Sequence, residues 1–362
     1  MRRLMKVVAA LFSALVLLLV FAHPVLDIPH RLQCDASTAS GRVGGSDGAD
    51  MLTMSDAELD QTLVAARDAG MWAIRVDVDW SRVEPVAGKR DWAQVDRVVR
   101  SVHALGMCPF GIVTYAPAWA ADPALRATGT YFAPADPAQF ADFARTAAQR
   151  YRGSIAAWEV WNEPNTVKFF KPAPDPAVYG RLLAATYGAI KSVSRDIAVV
   201  SGGLAPAEDA DGDIAPTTFL KALYAKGDNR YFDAFGIHPY SYPALPDEPG
   251  TGTWNTAQRL GAMYEIMRVG GDGGKQMWIT ECGAPTGTAD TAVSENVQAR
   301  TIEIMLTRAR QTSWIGPAFV YSIRDSGTDP ADPEQNFGIL RHDFVPKQAY
   351  AVVASFGLRG DR

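Results

Sequence analysis

The sequence predicts an α/β chain folded as a single-domain (β/α)8 TIM barrel, and three observations carry that expectation. From about residue 42 short apolar runs alternate with amphipathic helical patterns, the sign of a parallel sheet covered on both faces. Eight strand-helix units follow one another, which favours a closed barrel over an open doubly wound sheet with similar local patterns. The connections after several strands are long (115–135, 204–216, 241–253, 324–337), while those leading back into strands are short. In a barrel the long ones all lie on the C-terminal face, where binding sites are built.

The eight expected strands are residues 42–45, 72–79, 109–114, 156–161, 197–202, 232–238, 276–281 and 318–323, most of them apolar at both alternating positions. Two capping boxes open helices, Ser55 with Glu58 and Asp91 with Gln94, and Gly70 and Gly106 stop them. Asp136-Pro137 and Asp175-Pro176 each put an N-cap acid before a first-turn proline. In the first of these helices Phe140, Phe143, Ala147 and Tyr151 recur at helical spacing, and the last helix is expected over 347–355. No internal repeat, linker or low-complexity stretch marks a second domain.

A content of 48% hydrophobic and 21% charged residues is that of a folded globular chain, and a net charge of −5 supplies no basic face for nucleic acid. Arg2, Arg3 and Lys6 precede an uncharged apolar run over 7–22, the two parts of an export signal. That run is shorter than the roughly 20 residues that span a bilayer, so it reads as a cleaved signal, with an uncleaved membrane anchor as the alternative. The division expected is 1–22 signal or anchor, 23–41 exported segment, 42–356 barrel and 357–362 tail, with the folded part outside the cytoplasm. Cys34, Cys108 and Cys282 allow one disulfide whose pairing stays open, and no Cys/His spacing suggests a metal site.

Trp161-Asn162-Glu163-Pro164-Asn165 ends the fourth run and Trp278-Ile279-Thr280-Glu281 the seventh, so a barrel puts both glutamates on its C-terminal rim. A single strand-end glutamate is ordinarily a solvated loop residue. Two of them suit cleavage of a glycosidic bond with retention, where one carboxyl protonates the leaving oxygen and another, about 5 Å away, attacks the anomeric carbon.

These residues resemble the clan A glycoside hydrolases, most nearly family 39 with family 5 next, over most of 42–356. The resemblance implies Glu163 as acid/base, Glu281 as nucleophile, and Asn162 as ligand of the sugar 2-hydroxyl. Further matches are Arg75 on the second strand and His238-Pro239-Tyr240 closing the sixth. Arg75 in an apolar run needs a partner, either a catalytic carboxylate or a structural acid such as Asp77. Tyr240 is expected to donate to the nucleophile, and His238 to bind a sugar hydroxyl or to orient Tyr240. The chain departs from the family where Tyr321 stands in a place often taken by tryptophan, which bears on subsite specificity. Trp80, Tyr115, Trp119, Trp161 and Tyr242 lie near strand ends and either stack on sugar faces or pack in the core.

Other motifs carry less. Asp209-Ala210-Asp211-Gly212-Asp213 has its glycine at the wrong position for a calcium loop, Gly202-Gly203 lacks the rest of a phosphate loop, and His103 and His342 sit away from strand ends. The reading is an exported retaining glycosidase that cleaves β-linked glycans without a cofactor. Its rivals are a non-catalytic carbohydrate-binding or cell-envelope barrel and a transglycosidase.

Overall fold

The computed structural model describes residues 34–125 and 130–358, so the expected signal at 1–22, the segment 23–33 and the last four residues lie outside the described residues. Eight strands form one sheet: β1 (Val43–Ser46), β2 (Ala73–Asp79), β3 (Cys108–Thr114), β4 (Ala157–Val160), β5 (Ala198–Ser201), β6 (Phe235–Ile237), β7 (Met277–Cys282) and β8 (Ile315–Tyr321). They are parallel and bonded in the order β5-β4-β3-β2-β1-β8-β7-β6. The bridges Val200 to Ala234 and Leu204 to Ile237 join β5 to β6 and bring the sheet round into the expected barrel.

Eight main helices cover it: α1 (Asp56–Asp68), α2 (Ala93–Ala104), α3 (Pro137–Arg150), α4 (Pro176–Val193), α5 (Pro216–Lys226), α6 (Thr256–Met267), α7 (Glu295–Gln311) and α8 (Gln348–Gly357). Ser55 and Glu58 form the expected reciprocal box, Asp136 and Asp175 cap α3 and α4, and Gly70 and Gly106 follow α1 and α2 at positive φ. The box expected at Asp91 does not form. Trp92 is already in helical conformation, its ring stacked on Phe143 at 5.4 Å, so Asp91 sits one residue too far out and bonds Ala93 N instead. The eighth strand also begins before its expected start at 318. Pro317 has no N–H to donate, and β8 carries it beside a register irregularity in β7.

The N-terminal mouth of the barrel is filled with apolar side chains. Phe110 packs on Trp278 and Phe319 at 5.3 and 5.1 Å, and Gly44 makes room, since a Cβ there would lie 2.3 Å from the Phe319 ring. Residues 34–41, placed outside the barrel by the sequence pattern, belong to the same compact unit, and the Cys34–Cys108 disulfide ties them to the start of β3. Cys282 is free and buried. With one end plugged, the polar interior residues are left to the C-terminal end.

Candidate active site

Alternate residues of a barrel strand face the interior, and on β2 these are Arg75, Asp77 and Asp79. Arg75, 2% exposed, donates from Nε to Glu159 Oε2 at 2.7 Å, from Nη1 to Glu281 Oε1 at 2.7 Å and from Nη2 to Asn162 Oδ1 at 3.0 Å. Burying a guanidinium is costly unless every donor finds a partner, and here two carboxylates and an amide supply them. The alternative partner, Asp77, makes no ion pair with it. Glu159, 0% exposed, is completed on Oε1 by Gly203 N at 2.8 Å and Thr280 Oγ1 at 3.0 Å.

Glu281 ends β7. Its Oε2 accepts from Tyr240 Oη at 2.8 Å, so both its oxygens are held. Burial pushes its carboxyl up, but the charges of His238 and Arg75 with the Tyr240 and Arg75 hydrogen bonds outweigh that and keep it below its ordinary value. Burial and the Glu281 charge push the Tyr240 phenol far up, so it stays a donor. Thr280 and Glu281 are adjacent and in a regular strand would face opposite sides. A register shift between Ile279 and Cys282 lets both reach the interior network.

Glu163 reaches the cleft through a kink after β4, where Trp161 and Glu163 take φ of 73° and 48°. Left-handed backbone at a bulky residue costs on the order of 1–3 kcal/mol. The turn is held by Trp161 Nε1 to Phe169 O at 2.9 Å, Glu163 N to Gly203 O at 3.0 Å, and the Asn165 amide bridging Ala205 and Ile214.

His238 is fully buried between Glu163 and Thr280, with Nδ1 2.9 Å from Glu163 Oε1 and Nε2 3.0 Å from Thr280 Oγ1. It bonds the acid/base candidate, and its ring stands edge-on to that of Tyr240 at 6.3 Å, as the role of orienting Tyr240 expects. Burial opposes its positive charge, yet Glu281 and Glu163 raise it above its ordinary value. Gly203 is small for this histidine and not for a phosphate, because a Cβ there would lie 2.2 Å from Nε2. Ligand atoms of Glu163, His238 and Glu281 lie within 4.8 Å of one another. Both Glu281 oxygens and both His238 nitrogens already have partners, so a cation held by the three would have to displace one.

The cleft above them, about 550 Å³, is lined by Asn162, Tyr115, Tyr240, Tyr242 and Tyr321 among the residues expected at the site. Trp80 and Trp119 are corrections, and Trp161 takes the core-packing alternative. After β2 a single helical turn (Trp80–Val83) swings Trp80 outward, where it packs on Trp119 and Phe143 at 5.1 and 5.6 Å and donates to Glu84. Trp119 donates to Glu84 O, and Trp161 is buried under the cleft floor. Residues not anticipated include Tyr131, Phe169, Trp254 and Phe337 on the walls, and Asp77, whose Oδ1 is buried without a partner among the described residues and whose carboxyl burial pushes up to about 7. Asp209 and Asp213 of the acidic loop bond Ala215 N, Thr218 and Val167 N. They close that loop.

No protein-family model matches the chain, and no curated protein matches it in sequence. Solved structures do. A family 39 glycoside hydrolase from the gut symbiont Bacteroides cellulosilyticus WH2 is 25% identical with a TM-score of 0.70, over 90% of this chain and 65% of that one. A monomeric β-xylosidase from Caulobacter crescentus CB15 is 18% identical with a TM-score of 0.65, over 89% and 68%. An exo-β-1,4-mannosidase from Opitutaceae bacterium strain TAV5 is 16% identical with a TM-score of 0.61, over 90% and 62%. This chain therefore spans about two thirds of the length of those enzymes. The first bears out the resemblance to clan A and family 39, and the other two the barrel fold.

Proposed function

We propose that the protein is a glycoside hydrolase acting outside the cytoplasm on a β-linked oligo- or polysaccharide, with Glu281 as nucleophile and Glu163 as acid/base. The observation that carries this is the pair of carboxylates within 4.8 Å, one kept ionised by Arg75 and Tyr240 and the other bonded to a histidine that can share its proton. A separation of that order suits retention, since no water fits between carboxyl and sugar on the nucleophile side. Glu281 attacks the anomeric carbon as its bond to the leaving oxygen breaks and the Glu163 proton passes to that oxygen. Water then gives a proton to Glu163 and its oxygen to the anomeric carbon, and Glu281 leaves. Arg75 holds Asn162 Oδ1, which turns the amide NH2 toward a sugar 2-hydroxyl. Five acids (Asp77, Glu163, Asp213, Glu281, Glu334) against Arg75 and Lys168 in the lining favour a neutral sugar over a uronate. The basic-then-apolar N-terminus and a disulfide at Cys34–Cys108 support export.

A panel of aryl β-glycosides and β-glycans tests the reading. Glu281→Ala is expected to lose turnover on every substrate the wild type cleaves. Glu163→Ala should still form the intermediate from a 2,4-dinitrophenyl glycoside and be rescued by azide as the β-glycosyl azide. An α-glycosyl azide from Glu163→Ala would reverse the assignment. A wild type inactive on the whole panel would favour a carbohydrate-binding barrel, and products carrying an added sugar acceptor in place of water would make it a transglycosidase.

A further inference from the structure

Thr280 lies outside the catalytic pair, yet its one proton decides what His238 can do. Glu159 accepts on Oε2 from Arg75 and on Oε1 from Gly203 N, so it is a carboxylate with acceptors only, and the Thr280 hydroxyl donates to it at 3.0 Å. The Thr280 oxygen then has only lone pairs to offer His238 Nε2, which must be the N–H donor across their 3.0 Å contact. In the neutral imidazole this leaves Nδ1 bare, facing Glu163 Oε1 at 2.9 Å. A bare nitrogen accepts, so in that state the proton between the two rests on Glu163, and when His238 is the imidazolium the same proton lies on Nδ1, which also faces Glu281 Oε2 at 3.6 Å.

We infer that Thr280 is a positioning residue that, with Glu159 behind it, holds the Nε2 proton of His238 in place and so leaves Nδ1 to share the one remaining proton of the pair with Glu163. The inference rests on the glycosidase reading above. The same chain lets Nδ1 share the proton that water gives to Glu163 in the second step, with His238 then the imidazolium. The groups that face His238 are Glu281 and Thr280 from β7, Glu163 from the turn after β4 and Arg75 from β2. None of them other than Thr280 contacts Nε2. Without the Thr280 hydroxyl, the neutral ring gains by moving its proton to Nδ1, where it donates to Glu163, and the proton Glu163 held is released to solvent, so the pair has none to give.

Thr280→Val keeps the shape of the side chain and removes the hydroxyl, while Thr280→Ser keeps the hydroxyl. The value of kcat/KM reports only steps through formation of the glycosyl intermediate, where Glu163 acts as acid. On a phenyl β-glycoside, whose leaving group needs a proton, Thr280→Val should lose about 10²-fold or more, the scale of a lost general acid. On the 2,4-dinitrophenyl glycoside of the same sugar it should lose no more than about 3-fold. Thr280→Ser should stay close to wild type on both. Equal losses on the two leaving groups, or a Thr280→Ser that fails like Thr280→Val, would overturn the inference. A second measurement is independent of turnover: 15N spectra of the labelled protein, which has five histidines, should show neutral His238 with its proton on Nε2 in the wild type and on Nδ1 in Thr280→Val. A wild-type His238 protonated on Nδ1 would refute the role of Thr280 even in an active enzyme. A wild type with the expected tautomer but no activity on the whole panel would instead bring down the glycosidase reading.

Discussion

Replacing Arg75 by Met separates the two duties of this residue. The side chain is nearly isosteric in its stem, and its loss removes three bonds of 2.7, 2.7 and 3.0 Å. Glu159 and Glu281, both buried, then face each other's network without a fixed cation beside them. Breaking one partner out of a buried ion pair costs about 3–5 kcal/mol. For a chain of this size that is about 4–7 °C in Tm. The loss has a pH signature. The Glu281 carboxyl is held below its ordinary value, so in the wild type it contributes stability above its unfolded value that disappears as pH falls through the folded one. With Arg75 gone, burial is less opposed and that contribution shrinks or reverses. The gap between wild type and variant should therefore be widest near neutrality and narrow below about pH 4. In activity, the acid limb of kcat/KM should move to higher pH, because the proposed nucleophile ionises later. Thermal unfolding from pH 3 to 8 and a pH–rate profile on the best aryl β-glycoside check both. Adding Glu159→Gln should recover part of the stability and none of the acid-limb shift. A folded Arg75→Met with an unmoved acid limb would refute the claim that Arg75 acts on Glu281.

Two further outcomes follow from buried groups away from that pair. Burial pushes Asp77 up to about 7 with Oδ1 unpartnered, so the folded state loses stability as pH rises from the ordinary carboxylate range through that value. Asp77→Asn should be more stable than wild type by an amount that grows by up to ~1.4 kcal/mol per pH unit between about pH 4 and 7, read by denaturant unfolding, and a constant or negative difference would contradict this. The Cys34–Cys108 bond closes a loop with a sequence separation of 74, so Cys34→Ser should lose about 4 kcal/mol in the same measurement, and an unchanged stability would show that residues 34–41 are held by packing alone.

The strands were legible because a buried parallel strand is a short apolar run bounded by turn residues, and that signal is local. So was the placement of Glu163, Glu281, Asn162, Arg75 and Tyr240, since each stands within or at the end of a run. Side-chain direction was not. Whether Trp80 enters the cleft depends on one helical turn after β2, and whether Thr280 and Glu281 share a face depends on an irregular register in β7 that no local pattern announces. Glu159 could have been found. It is a charge inside the apolar run 156–161, and the reasoning that demanded a partner for Arg75 demanded one for it too. The partner of His238 was hidden because its contact with Glu163 joins residues 75 positions apart.

The charge count of the network supports giving the two glutamates different parts in the proposed mechanism. Arg75 offers one fixed positive charge to Glu159 and Glu281, and Glu163, which does not touch it, bonds His238 instead. Glu163 and His238 are thus the pair that can exchange a proton. During the proposed first step the Glu281 charge is consumed in forming the ester, just as the Glu163 proton leaves with the departing oxygen. One negative charge disappears and another appears a few ångströms away, so the net charge of the buried cluster is the same before and after. The second step runs the exchange backward. The reaction thus moves charge within the network rather than creating it, and a preorganised set of fixed donors can stabilise both ends without reorganising. On this account the proposed roles of the two cleft carboxyls follow from their partners: Glu281, bonded to Arg75, is the proposed nucleophile, and Glu163, bonded to a titratable imidazole, the proposed group that gives and takes the proton.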